Sequence, residues 1–181
     1  MTGELHLIIG CMFSGKTSKL ISYIRKCQLL NQEYLVITHS FDKRYGSDII
    51  CSHDKNKVFS EVTTKLSDIK ITEKYKKSTF IFIEEAQFFN DLKDFVIQAV
   101  EVDNKIVTVC GLDGDFKRNK FGEILDLIPY ADSLEKLSAY CIECCDGTLA
   151  KFSKRITNDF ETKLIGSTEK YKAVCRKHYI E

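Results

Sequence analysis

At 181 residues, 44% of them hydrophobic, the chain has enough apolar material for one sound core with at most a small appendage. Its 27 basic and 26 acidic residues leave a net charge of +1, which removes any global electrostatic case for binding DNA, RNA or a membrane surface. No stretch approaches the roughly 18 to 20 apolar residues of a membrane span, and no secretory leader precedes the first strand, so a soluble cytoplasmic protein without nucleic-acid or membrane partners is expected.

The apolar run Leu5 to Ile9 predicts a buried strand that leads directly into Gly10, Cys11, Met12, Phe13, Ser14, Gly15, Lys16 and Thr17, the pattern G-x-x-x-x-G-K-[ST]. Such a loop turns successive backbone N–H groups toward one polyanion, while Lys16 reaches the outer phosphates and Thr17 offers a hydroxyl to Mg²⁺. These eight residues are the expected nucleoside-triphosphate ligands. After them Leu20, Ile21, Ile24, Cys27 and Leu30 recur at helical spacing, and Tyr34 to Thr38 is a second apolar strand.

Residues 40–57 are polar and turn-rich. Thr79 to Ile83 then reads as a third buried strand, Leu92 to Val102 as a helix and Lys105 to Leu112 as a fourth strand. Strands without alternation, separated by helices, predict an α/β fold: a P-loop NTPase-like parallel sheet flanked by helices, with its site beyond the carboxyl ends of the strands. Glu84 and Glu85 emerge where the third strand leaves the sheet. One carboxylate there can hold Mg²⁺ and another can take a proton from a nucleophile. Neighbours on a strand face opposite ways, so the two are expected to carry different tasks.

Eight cysteines in a chain with a nucleotide loop and no leader point to metal binding in a reducing compartment. Cys141-x₂-Cys144 and Cys175-x₂-His178 form two knuckles that together supply a closed, structural Cys₃His zinc site. Cys145 is a rival ligand to Cys144, with the x₂ spacing favouring Cys144. Cys27 and Cys110 read as small buried hydrophobes, whereas Cys11 stands open as an oxidisable P-loop thiol. The polar stretch 142–174 is too small to form a core unaided, and zinc would supply the missing stability. A P-loop protein with a zinc module can alternatively be an ATPase acting on nucleic acid.

With both motifs in place, the chain resembles the type II thymidine kinases, compact enzymes with a P-loop domain and a zinc-stabilised lasso. The resemblance rests on residues 10–17, Cys-Ser-His-Asp at 51–54, Glu-Glu-Ala-Gln-Phe-Phe at 84–89, Leu-Asp-Gly-Asp-Phe at 112–116, Lys-Arg at 154–155 and Lys-Tyr at 170–171. It implies a kinase domain over 1–138 and a lasso domain over 139–181. It also implies transfer of the ATP γ-phosphate to the 5′-hydroxyl of thymidine, with Glu85 as catalytic base and Glu84 on the magnesium side.

By the same resemblance Gln87, Asp54, Lys55 and Asn56 belong to the nucleotide site. Met12, Phe88, Leu112, Phe116 and Phe121 would line the nucleoside pocket, closed by Ser153, by Thr162, Lys163, Leu164, Ile165 and Gly166, and by Tyr171. A homotetramer and feedback inhibition by dTTP are implied as well. The sequence departs from the family pattern at Cys11 and Lys120, where proline is common, at Glu84, where aspartate is common, and at His178, where cysteine is more usual.

Overall fold

A computed structural model of the chain describes residues 2–41, 49–51, 57–157 and 169–181. In chain order the elements are β1 (Glu4–Gly10), α1 (Lys16–Leu29), β2 (Tyr34–His39), β3 (Ile49–Cys51), β4 (Lys57–Phe59), β5 (Glu61–Thr63), α2 (Leu66–Lys70), α3 (Glu73–Lys77), β6 (Phe80–Glu84), α4 (Leu92–Ile97), β7 (Ile106–Leu112), β8 (Ser133–Leu137), β9 (Ala139–Tyr140), β10 (Leu149–Ala150), β11 (Phe152–Arg155), β12 (Tyr171–Val174) and α5 (Arg176–Ile180). Six strands form one sheet in the order β5-β2-β6-β7-β1-β8, and every neighbouring pair in it is parallel. This is the predicted architecture, because parallel neighbours require crossover segments and those segments cover the faces.

Side-chain parity divides the core between the two faces. Leu5, Leu7, Ile9, Leu35, Ile37, Ile81, Ile83, Val107 and Val109 pack with Phe89, Leu92, Phe95 and Val96 on one side. On the other, Ile8, Val36, Phe82 and Cys110 meet Leu20, Ile21, Ile24 and Cys27 of α1. Glu84 continues the series Phe80, Phe82 and therefore leaves β6 on the α1 side. Shortening a fully buried residue such as Ile83 to alanine would cost about 2–5 kcal/mol.

The predicted apolar face of α1 stops short of Leu30, which stands just past the helix and is 69% exposed. The helix expected over 92–102 is α4 followed by a wider π-type stretch, Gln98–Val102, closed by Asp103 N–H on the Gln98 carbonyl at 3.0 Å. Asp103 is anchored there by the Tyr75 hydroxyl at 2.6 Å and Lys70 Nζ at 3.3 Å. Pro129 falls within a 3₁₀ segment, Ile124–Tyr130, that precedes β8.

Beyond β8 the chain builds two small antiparallel pairs, β9 with β10 and β11 with β12, and ends on α5. Ala139, Cys141, Ala150, Ala173 and Val174 form their core, and Cys11 of the P-loop is part of the same cluster. Among the described residues, no helix is long and apolar enough to cross a membrane.

Candidate active site and metal centre

The turn from β1 into α1 is made by Gly15, whose φ of 83° is a left-handed conformation open to glycine without penalty. Among the described residues no side chain caps α1, so its first-turn N–H groups and the positive end of its dipole are left for an anion. Ser14 Oγ is buried with no hydrogen-bond partner among the described residues, and Lys16 Nζ donates to the Cys11 carbonyl at 2.7 Å. An orphaned hydroxyl and a lysine turned onto its own loop are donors that a phosphate chain would satisfy.

Thr17 Oγ1 donates to Glu84 Oε1 at 2.5 Å, joining the start of α1 to the end of β6. Glu84 is 6% exposed. Burial, and after it the negative charge of Glu85, push its pKa up to about 7 from an ordinary 4.5, against the opposing pull of Cys110, Thr17 and Lys16. A buried carboxylate so disfavoured as an anion, beside a hydroxyl and a phosphate loop, fits Mg²⁺, which would offset its charge.

Glu85 takes a different path. Its φ of 51° and ψ of 41° lie in the left-handed region and open a short 3₁₀ turn, Ala86–Phe88. A non-glycine residue held there is a local cost that surrounding contacts must sustain. Gln87, 2% exposed, donates from Nε2 to Glu85 Oε2 at 2.5 Å, while its Oε1 accepts from the Leu112 N–H at 3.1 Å. The two carboxylates thus have different partners, Glu84 bonding Thr17 and Glu85 bonding Gln87, and the left-handed backbone of Glu85 rather than strand parity sets the second.

The expected pocket residues fall into sets held by different neighbours. Phe88 packs edge-on against Phe121 at 5.6 Å between centroids, and Phe41 and His39 extend this wall at 5.2 and 5.9 Å from Phe88. Phe116 and Tyr171 are joined by Arg155, whose guanidinium lies 3.7 Å from the Phe116 ring centroid and 5.0 Å from that of Tyr171, and donates to the Tyr171 hydroxyl. Ser153 Oγ accepts from the Met12 N–H at 2.9 Å, so β11 is bonded to the P-loop itself. Beside Ser153, a cavity of about 190 Å³ is lined by Asp113, Asp115, Arg118, Lys136, Lys151 and Phe152.

Four further expected residues form one cluster. Cys141, Cys144, Cys175 and His178 place their ligand atoms within 4.8 Å of one another. Cys144 Sγ and Cys175 Sγ are 3.8 Å apart, and His178 Nδ1 lies 3.6, 3.4 and 3.5 Å from the sulfurs of Cys141, Cys144 and Cys175. A tetrahedron with Zn–S of about 2.3 Å and Zn–N of about 2.0 Å has edges of roughly 3.5 to 3.8 Å, which these four distances match, so the donor set fits zinc.

The thiols themselves ask for a cation. Burial raises Cys141, but the backbone N–H groups of Cys175, Cys144 and Glu143 and the His178 ring outweigh it and bring the thiol down to about 6. Burial and the adjoining thiols push Cys144 up to about 11, since a second thiolate beside the first is repelled unless a metal lies between. Cys145 is outside the cluster: its backbone is left-handed at φ 52° and its thiol donates to the Ile142 carbonyl at 2.9 Å.

Asp54, Lys55 and Asn56, and Thr162, Lys163, Leu164, Ile165 and Gly166, lie outside the described residues. Cys11 is 2% exposed, its thiol donates to the Ala150 carbonyl at 3.5 Å, and burial raises its pKa, all of which argue against an oxidisable P-loop thiol. Lys120 pairs with Asp126. Sequence reasoning did not mark His39 and Phe41, because only the pairing of β2 with β6 brings them to Phe88. It also missed Tyr179, whose hydroxyl donates to the Phe116 carbonyl at 2.7 Å.

Comparison with known proteins agrees with this geometry. The family model described as thymidine kinase matches residues 3–179. A thymidine kinase of Oryza sativa subsp. japonica is 44% identical over 99% of this chain and 67% of its own length. Those of sheeppox virus (strain KS-1) and vaccinia virus (strain Western Reserve) are 42% and 40% identical over 98% and 99% of this chain and 97% and 98% of theirs. With a family match that spans both the phosphate loop and the Cys₃His cluster, the chain belongs to the thymidine kinase family.

Proposed function

We propose that the chain transfers the γ-phosphate of ATP to the 5′-hydroxyl of thymidine, giving dTMP and ADP. The observation that carries this reading is the acidic pair beside the phosphate loop with separate partners, Glu84 bonded to Thr17 and Glu85 bonded to Gln87 at the head of the 3₁₀ turn. Residues Gly10 to Thr17 cradle the triphosphate, and Lys16 leaves the Cys11 carbonyl for the outer phosphates. Glu85 accepts the proton of the 5′-hydroxyl as the O5′–Pγ bond forms and the bond from Pγ to the β-phosphate oxygen breaks, its electron pair leaving with ADP. Magnesium, held by Thr17 and Glu84, would supply charge neutralisation on the phosphates.

Met12, Phe88, Leu112, Phe116, Phe121, Ser153 and Tyr171 would form the walls of the nucleoside pocket, where a flat base needs aromatic and apolar contact with few polar groups to orient it. Asp54, Lys55 and Asn56, with Thr162 to Gly166, complete the proposal on the nucleotide and nucleoside sides. Zinc at Cys141, Cys144, Cys175 and His178 would be structural, since four protein ligands leave no open position. The domain division near residue 138, a homotetramer, feedback inhibition by dTTP and a cytoplasmic setting in which the thiols stay reduced belong to the same reading.

Phosphate transfer from MgATP, measured with thymidine, deoxyuridine, deoxycytidine, deoxyguanosine and single-stranded DNA in parallel, tests it. Thymidine monophosphate as the dominant product is expected. ATP hydrolysis that rises with DNA and ignores every nucleoside would replace the proposal with a nucleic-acid-dependent ATPase.

A further inference from the structure

Gln87 has the right neighbours for a task other than ligand binding. It is almost fully buried on the turn that follows Glu85, and both ends of its amide are committed. The Leu112 N–H can bond only to an oxygen, which fixes Oε1 toward β7 and leaves the NH₂ group facing the Glu85 carboxylate. The donor cannot be exchanged for an acceptor without breaking the bond to Leu112.

The packing around Gln87 restricts it as tightly as the hydrogen bonds do. A Cβ added at Gly111 would sit 2.5 Å from Gln87 Oε1, and one added at Gly122 would sit 2.3 Å from the Gln87 carbonyl oxygen. Two glycines, one on β7 and one on the segment before the 3₁₀ helix, therefore leave the space that this residue fills. Glu85 needs such a support, because its left-handed backbone takes its side chain off the strand geometry that would otherwise orient it.

We infer that Gln87 is a positioning residue that aims the Glu85 carboxylate at the acceptor hydroxyl, and that Gly111 and Gly122 serve the same arrangement. The inference rests on the reading of Glu85 as the base. A small displacement of a reacting group is expensive, on the order of 10²-fold for about 1 Å.

The test is a kinetic cycle on the full-length, zinc-replete protein with Gln87→Ala, Glu85→Gln and the double variant, and with Gly111→Ala as a second route to displacing the amide while keeping Gln87. Gln87→Ala and Gly111→Ala are each expected to lower kcat about 10- to 100-fold with the KM for ATP and thymidine within about threefold. In the Glu85→Gln background, Gln87→Ala should change kcat by less than about threefold, since nothing is left to aim.

A loss of ATP affinity with kcat retained would make Gln87 a nucleotide ligand and overturn the inference. Equal loss in both backgrounds would make its role purely structural, with the same result. Near-normal turnover of Glu85→Gln alone would remove the base assignment and this inference together, whereas failure confined to the Gln87 and Gly111 variants leaves the base assignment standing.

Discussion

Thr17 and Glu84 meet at 2.5 Å where α1 begins and β6 ends, so one hydrogen bond ties the phosphate loop to the acidic turn across the sheet edge. The bond sets a buried carboxylate beside the first turn of α1, and its titration has a measurable consequence. The pKa of Glu84 in the folded chain is raised to about 7 from 4.5, so between those values the folded state holds more proton at this position than the unfolded state does. The Glu84 contribution to the stability of the metal-free protein is therefore complete below pH 4.5 and declines as pH rises toward 7. Chemical denaturation of wild type and Glu84→Gln across pH 5 to 8 should show the decline in the difference between them. Mg²⁺ should reverse it by binding the ionised carboxylate.

Removal of the Glu85 carboxylate should act on chemistry alone. Glu85→Gln is expected to keep ATP binding and lose about 10²- to 10⁴-fold in turnover, the usual range for a general base. Isothermal titration with a non-hydrolysable ATP analogue, alongside steady-state kinetics, checks both halves. A variant with near-normal turnover would falsify the role.

Cys175→Ala should leave three ligands where a closed tetrahedral site needs four. Metal analysis of freshly purified protein is expected to give about one zinc per wild-type chain and little in the variant, with limited proteolysis cutting faster after residue 139. Wild-type protein free of zinc would defeat the assignment.

Arg155 lies against the rings of Phe116 and Tyr171 and donates to the Tyr171 hydroxyl. Arg155→Lys keeps the charge but loses the planar stack, which is worth about 0.5–2 kcal/mol. The KM for thymidine should rise about 2- to 30-fold while the KM for ATP stays near its wild-type value, and kinetics with each substrate varied in turn decides it.

The Ser153 hydroxyl is the acceptor for the Met12 N–H. Ser153→Ala leaves that donor without its partner at a cost of about 1–3 kcal/mol, and a fall in thermal midpoint together with weaker ATP binding is expected. Unchanged nucleotide affinity would show that the loop holds its shape without β11.

Local patterns were the legible part of this molecule. The strand, glycine turn and helix around Lys16 are encoded in the one continuous stretch Glu4 to Leu29, and the knuckles of Cys141 with Cys144 and Cys175 with His178 are fixed by short spacings. What the sequence hid depends on pairing between distant segments. Gln87 meets Leu112 only because β6 and β7 are neighbours in register, and Arg155 meets Tyr171 only because β11 pairs with β12. The left-handed turn at Glu85 was equally hidden, because no glycine or asparagine marks it. Leu30 misled for the opposite reason: its spacing continues the apolar face of α1, but the helix ends one residue earlier.

The bond between Met12 and Ser153 spans 141 positions of the chain, and the contact of Cys11 with Ala150 spans 139. The loop is therefore synthesised well ahead of the partners that hold it. At about 5–20 residues per second this interval lasts roughly 7 to 28 seconds, during which the sheet can assemble but the loop lacks its final support. The six-stranded sheet is thus synthesised ahead of β11, and a nascent chain halted before Ser153 should pair those strands while the loop at Met12 lacks its bond to β11.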